Sequence, residues 1–391
     1  MRPVDKWVLI CYKDCAFNLI SVLISEATKL NYQIPQHPVK QYTTINNAPC
    51  DYIRELDVVM NTYKNTIQLV LVILPKYSED VWSEVYQRAS VYFGEFGVAT
   101  QCVDGGLLNM PNTNVSVCRN LVIKINAKLG GVPWTVNIAS ETTMFVGFAF
   151  YRSKNGNRVI GMVASIDKTC SKYFSTASFH PANMPLYSAE IGEHLKKCLN
   201  AYRDKTKMLP NSIIMYRTEI CDWQRYKVYG IELKAMKVAI SDVYKNARLS
   251  EPTLTVIMPS KQSNSRFFSQ VRHEIYANPR AGTVIDGNIT SPGRYNFYLL
   301  SHVCTESQHT ATPTSYSVLC DPEGLNPENL LQHRRKIQLL TFKLCHLYYN
   351  CCSTVALPAP YKYAQDLVDF IGKYLKGAIP PDNLSHDLYY L

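Results

Sequence analysis

The sequence predicts an α/β chain in two units: a Rossmann-like parallel sheet over residues 1–135, then a mixed sheet flanked by helices over 136–391. Three observations predict it. Before residue 130, short β-branched runs alternate with amphipathic stretches, a pattern that favours parallel strands joined by crossover helices. Between Thr143 and Ser175 strand-like runs begin to follow one another with no helical stretch between them. Asn155-Gly156 separates the first two of these runs and supplies the positive φ angles of a tight hairpin, so the pair should be antiparallel.

In order along the chain, residues 6–12 form a short apolar strand, and Asp14 can cap the helix that carries Phe17, Ile20, Leu23 and Ile24 on one face. Residues 31–50 are polar and proline-bearing and read as a loop. A buried strand over 67–74 stops at Pro75; a helix over 79–92, a strand over 98–103, a loop over 105–114 and a helix over 115–129 follow, ending at Gly130-Gly131. In the second unit the strands are 144–151, 159–166 and 171–179, then a helix over 188–202, a strand over 212–217, a helix over 223–247 and a strand over 253–258. Runs at 295–301 and 316–319 continue the sheet. A long helix over 329–351 precedes Pro358-Ala359-Pro360.

Composition narrows the function classes. A chain of 391 residues can bury two cores. The 41 Lys+Arg against 31 Asp+Glu give a formal charge of +10, which suits a polyanionic partner or simply a solvated basic surface. The 13 cysteines form no Cys-x-x-Cys pair, so zinc-site spacing is absent, and they are expected as buried, reduced thiols of an intracellular protein. Arg2, Asp5 and Lys6 interrupt any signal-peptide run, and the apolar stretch 67–74 is too short to cross a bilayer. Gly105-Gly106 and Gly130-Gly131 lack a nucleotide-binding frame. The nine histidines are scattered; His346, among apolar neighbours, is expected to be a satisfied core residue.

Long motifs in fixed order then identify the chain as similar to the Argonaute family, specifically its PIWI branch. Gly147-Phe148-Ala149-Phe150-Tyr151-Arg152 stands where that family has Gly-Ile-Asp-x-Tyr-His, followed by the hairpin, Val163-Ala164-Ser165 and Lys172-Tyr173-Phe174-Ser175. Asn126-Ala127-Lys128-Leu129-Gly130-Gly131 resembles the end of a MID domain. Asn264-Ser265-Arg266-Phe267-Phe268, the run from Gln338 to Asn350, Pro358-Ala359-Pro360 and the terminal Leu388-Tyr389-Tyr390-Leu391 resemble the family's later motifs. The resemblance implies a MID-like domain over 1–135 and an RNase H-like PIWI domain over 136–391.

What it implies for chemistry is uneven. Family members that cleave RNA hold two Mg²⁺ ions with carboxylates and a histidine, and two divalent cations need closely spaced hard oxygen ligands. By resemblance those positions are Ala149, Glu190, Thr218 and Ser315, so only Glu190 could serve as a carboxylate, and no catalytic cofactor is expected. Glu190 also reads as a helix-start acid favoured by the macrodipole. Glu219, one residue past Thr218, should point to the opposite face of the strand. For the guide 5′-phosphate the resemblance assigns Tyr86, Gln101, Lys124, Lys128 and the carboxylate of Leu391, with one Mg²⁺ at the phosphate. Lys124 and Lys128 share a helix face, where a solvated stripe is the plainer reading. Ser90, Ala356 and Gln365 stand where the family carries Lys, Arg and His. The expected partners are a small guide RNA of piRNA type, a complementary target RNA and silencing-pathway proteins, in cytoplasm or nucleus, with no membrane. The competing readings are an RNA-free interaction scaffold and, against the ligand pattern, an active Mg²⁺-dependent endoribonuclease.

Overall fold

The computed structural model describes the chain except residues 1–2, 13–16, 45–47, 75–78, 106–112, 139–141, 184–189, 274, 288, 291–293, 304–309 and 323–328. The expected cap at Asp14 and stop at Pro75 lie outside the described residues.

The first unit is a four-stranded sheet of β1 (Trp7–Tyr12), β2 (Lys40–Thr44), β3 (Leu69–Leu74) and β4 (Ala99–Asp104). Its order is β2-β1-β3-β4 and every pairing is parallel, as the alternation predicts. β3 reads LVLVIL and is buried along its whole length, the signature of a strand covered on both faces. The covers are α1 (Phe17–Lys29) and α4 (Thr113–Lys128) on one side and α2 (Pro49–Tyr63) and α3 (Glu79–Phe96) on the other.

Two elements contradict the reading of 31–50 as loop. β2 is an edge strand, largely exposed, so Lys40-Gln41-Tyr42-Thr43-Thr44 needs no apolar run. α2 begins with Pro49 in its first turn, where proline's fixed φ suits a helix start. It buries Tyr52, Leu56, Val59 and Met60, an i, i+4, i+7, i+8 face.

The second unit is an eight-stranded mixed sheet. Its strands are β5 (Thr143–Arg152), β6 (Arg158–Ser165), β7 (Tyr173–His180), β8 (Ser212–Arg217), β9 (Thr253–Ser260), β12 (Thr283–Ile285), β13 (Asn296–Leu300) and β14 (Thr314–Cys320); a small exposed ribbon, β10 (Ser269–Arg272) with β11 (Ile275–Ala277), stands apart. The order is β12-β13-β14-β9-β8-β5-β6-β7, parallel through β5, β8 and β9 and antiparallel elsewhere. The β5–β6 hairpin forms, but only Gly156 has positive φ, at +83°. Ser153 N–H donates to Asn157 at 2.8 Å and Gly156 N–H to Ser153 at 3.0 Å, so the loop is longer than a two-residue turn.

α5 (Glu190–Thr206) and α7 (Leu233–Ala247) cover one face; α8 (Leu330–Leu344) and α9 (Ala359–Asp369) lie against the other. The stretch read as one helix over 223–247 is composite: a 3-10 turn at Asp222–Gln224, the short α6 (Arg225–Lys227), a π turn at Val228–Glu232, then α7. A buried Arg217–Glu232 ion pair, 3.1 Å, ties the π turn to the end of β8. The helix expected to reach 351 ends as α8 at Leu344. α9 was not expected, because Pro358-Ala359-Pro360 reads as a stop; here those prolines open a helix. It packs so closely on β5 that a Cβ at Gly147 would overlap the Pro360 carbonyl. One apolar core runs from the α1–α4 layer through to α8, α9 and the chain's last residues, so the two sheets share an interior.

Candidate nucleic-acid interface

Four of the five residues assigned to the guide end come together where α3, β4 and α4 meet the chain's C-terminal segment. Lys128 ends α4 with only 3% of its surface exposed, and its Nζ donates to the Thr100 carbonyl at 3.1 Å. Burial pushes its ammonium down to about 8, and Lys124, one turn earlier, adds like-charge repulsion. Lys124 is pushed down by burial as well. Both lysines are therefore desolvated cations, not the solvated stripe that spacing alone suggests. Gln101 on β4 is buried, with Nε2 donating to the Cys102 carbonyl at 2.8 Å and Oε1 without a partner. Tyr86 lies half-buried against Phe370 and Tyr374, with ring centroids 5.7 and 4.6 Å away, and its side chain hydrogen-bonds the Cys102 thiol.

Leu391, the fifth, packs half-buried against the same core, its N–H donating to Leu388 at 3.2 Å. No hydrogen bond or ion pair among the described residues links it to Lys124 or Lys128. Carboxyl chemistry enters the cluster elsewhere, through Asp366 on α9, whose charge bears on Lys124.

The positions assigned to cleavage are less coherent. Ala149 is buried in the core that α9 covers. Thr218 follows β8 directly; its N–H and Oγ1 both reach the Phe148 carbonyl, at 3.0 and 3.3 Å, and the Tyr361 side chain hydrogen-bonds it in turn. A cleft of about 540 Å³ opens here, lined by Thr218, Glu219, Cys221, Lys261, Tyr361 and Gln365 among others, and by neither Ala149 nor Ser315. Ser315 lies on β14 opposite Ser260, which does line the cleft. The expectation that Glu219 points away from Thr218 is overturned: β8 ends at Arg217, strand alternation stops with it, and both residues face the cleft.

Glu190 opens α5, as its helix-start reading predicts, and its carboxylate lies 3.2 Å from His180 Nε2. His180 shares the Ser178 hydroxyl with His194, at 2.8 and 2.9 Å, and burial pushes His194 down to about 4. Glu190 thus belongs to a polar chain between β7 and α5, not to the cleft beside Thr218. Among the described residues no group of three or more His, Cys, Asp or Glu side chains could hold a metal ion. These residues do not fit a prebuilt two-ion site, and a single ion at a bound phosphate would take most of its ligands from phosphate and water.

The Piwi domain model matches residues 69–376, more than half of the chain. The chain belongs to the Piwi family. Protein aubergine of Drosophila melanogaster is 34% identical over 339 residues, covering 85% of this chain and 37% of that protein. The crystal structure of Drosophila Piwi matches with a TM-score of 0.82 at 29% identity, over 99% of this chain and 50% of that one. Kluyveromyces polysporus Argonaute with a guide RNA shares the fold, with a TM-score of 0.78 at 18% identity over 100% of this chain and 51% of that one. The chain therefore spans 37–51% of the length of these proteins. Its mixed α/β architecture is that of the Argonaute MID–PIWI lobe.

Within this Piwi-family fold, sequence reasoning missed Asp366, Cys102 and Tyr361. Asp366 and Tyr361 sit on the unexpected α9, so their place in the two sites was hidden with the helix itself. The strand pattern did signal Cys102, next to Gln101, but only as a core thiol. The cysteines are not uniformly buried: Cys50, Cys221 and Cys352 are exposed. His346 lies beyond the end of α8, with Nδ1 3.1 Å from the Thr354 hydroxyl and its ring edge-on to Phe342. No helix among the described residues is long and apolar enough to cross a membrane.

Proposed function

We propose that the chain grips the 5′-phosphate of a small guide RNA of piRNA type through Lys124, Lys128 and Gln101, and silences paired RNA without cutting it. The observation that carries this is the pair of desolvated ammonium groups one turn apart on α4. Each buried charge without a full counter-ion costs several kcal/mol, and an arriving phosphate repays both at once with charge-assisted hydrogen bonds. Gln101 adds the one amide N–H that its bond to the Cys102 carbonyl leaves over. Piwi-family membership, and a fold shared with an Argonaute that holds a guide RNA, support an RNA end as the anion.

The non-cutting part rests on ligand chemistry. A two-ion displacement needs several carboxylates around the metals. The cleft beside Thr218 is lined by one, Glu219, while the Thr218 hydroxyl is already engaged with Phe148 and Tyr361. Direct binding of RNAs that differ only in a 5′-phosphate or 5′-hydroxyl tests the grip. Incubation of the guide-loaded protein with complementary RNA and Mg²⁺ tests the silence; a cleaved product abolished by Glu219→Gln would contradict it. A second reading, an RNA-free scaffold, draws on Asp366, which supplies part of the pocket's neutralising charge from within.

A further inference from the structure

Two large rings stand in solvent at the rim of the cleft beside Thr218. Trp223 and Tyr226 are 64% and 66% exposed, on the 3-10 turn and α6 that continue from the cleft-lining residues Ile220 and Cys221. Gln224, between the two rings in sequence, itself lines the cleft. A separation of three residues brings both rings to one side of the turn, and Lys227 follows four after Trp223. Its ammonium accordingly sits 5.6 Å from the indole centroid and 5.9 Å from the Tyr226 ring centroid, one cation shared by two exposed rings.

The turn that carries them is held from several sides. Arg225 lies 2.7 Å from the Asp222 carboxylate and 3.3 Å from the Ser317 hydroxyl of β14, and Tyr229 donates its hydroxyl to the Leu319 carbonyl at 2.7 Å. The buried Arg217–Glu232 pair fastens the π turn beyond. Core packing does not account for Trp223 and Tyr226, which keep most of their surface in water. A fixed turn beneath exposed rings is a preorganised surface. The charge around it is cationic: Arg225, Lys227 and Arg294 stand against the carboxylate of Asp222, to which both arginines are tied.

We propose that Trp223, Tyr226 and Lys227 form a stacking platform for unpaired bases of single-stranded RNA at the mouth of the cleft, with Lys227 meeting a backbone phosphate. Every base offers a π face and every nucleotide a negative charge, so one strand answers the rings and the cation together. An apolar protein surface would cover the rings and leave the cations desolvated at a cost. The platform is indifferent to the 5′ end, so this inference goes beyond the proposed grip on the 5′-phosphate and does not depend on it.

The test is equilibrium binding of a 5′-hydroxyl oligoadenylate, single-stranded or annealed to oligouridylate, to the full chain and its variants. The double variant Trp223→Ala with Tyr226→Ala should bind the single strand about tenfold more weakly and the duplex unchanged, since stacking needs unpaired bases. Both rings are exposed, so this variant should melt with the wild type. Trp223→Phe keeps a stacking ring and should stay within about threefold of the wild type. Lys227→Gln should lessen the salt dependence of single-strand binding by about 0.7 in the logarithmic slope. Unchanged single-strand affinity in the double variant overturns the inference and leaves the rings to a protein partner; an equal loss on the duplex overturns it as well. If the wild type ignores a 5′-phosphate while the double variant still loses single-strand affinity, the guide-end reading fails and this inference stands.

Discussion

The pocket at the end of α4 and the cleft beside Thr218 differ in what they bury. The pocket holds two ammonium groups that burial disfavours. The cleft is lined by hydroxyls, a thiol, a phenol, amides, one exposed carboxylate (Glu219) and one lysine, Lys261, whose ammonium burial also pushes down. Apolar residues and satisfied hydroxyls cost a fold little and carry no sign of a missing ligand. Desolvated cations do, because replacing them with apolar side chains of similar volume is often neutral or stabilising. The difference is then one of arrangement: two such cations stand one turn apart on α4, while the cleft sets one lysine beside one carboxylate, fewer oxygen ligands than a two-ion displacement needs.

The largest expected effect breaks the pocket. Lys128→Met should remove the preference for 5′-phosphorylated over 5′-hydroxyl RNA, a loss of about tenfold to a hundredfold in affinity for the phosphorylated end. The same variant should melt at a higher temperature, because the cost of burying the ammonium, on the order of 1–3 kcal/mol, disappears. Gain of stability with loss of binding is the pattern of a functional charge; loss of both would make Lys128 structural.

Restoring a carboxylate tests the other region. Ala149→Asp introduces an acid into a 1%-exposed position packed beneath α9 and should destabilise the protein by about 2–4 kcal/mol, read by urea unfolding. It should produce no Mg²⁺-dependent cleavage, since the cleft still lacks a ligand set. A variant that folds as well as the wild type and cuts would erase the distinction between the regions.

A smaller effect sharpens the comparison through pH. Burial lowers Lys128 from its ordinary 10.5 to about 8, so between these values the unfolded chain holds a proton that the empty folded pocket does not. Stability of the RNA-free protein should rise with pH across that window. Affinity for 5′-phosphorylated RNA should fall over the same window, because binding then requires Lys128 to regain its proton. Affinity that stays flat from pH 7.5 to 9.5 would mean that Lys128 is not the gripping group.

The smallest effect belongs to Thr218. Thr218→Ala removes the 3.3 Å bond to the Phe148 carbonyl and should cost about 0.5–1.5 kcal/mol of stability, with RNA affinity unchanged. A large drop in RNA binding would show that the cleft, not the pocket, dominates recognition.

Much of this was legible before any coordinates. The strand–helix alternation gave the parallel sheet, the strand runs around Gly156 gave the hairpin, and the spacing of Lys124 and Lys128 placed both on one helix face. Their burial was not legible. Lys128 is buried against β4, its ammonium on the Thr100 carbonyl beside Cys102, and helix periodicity alone cannot report which strand a face will meet. Glu219 was misjudged for a related reason: alternation holds only while a strand lasts, and β8 stops one residue before Thr218. β2 and α2 were missed where an exposed edge strand lacks apolar residues and a proline serves as a helix start. Asp366 stayed hidden because the prolines ahead of it were read as an end instead of a beginning.

The most direct measurement of the central claim is the ratio of affinities of the wild-type chain for 5′-phosphorylated and 5′-hydroxyl RNA of one sequence at pH 7.5. Two desolvated lysines answered by a phosphate predict a preference of about tenfold or more for the phosphorylated end, abolished in Lys128→Met. Equal affinities for the two RNAs would contradict the account: the buried lysines would then serve the fold alone, and the chain's interactions would have to be sought on its protein-facing surfaces.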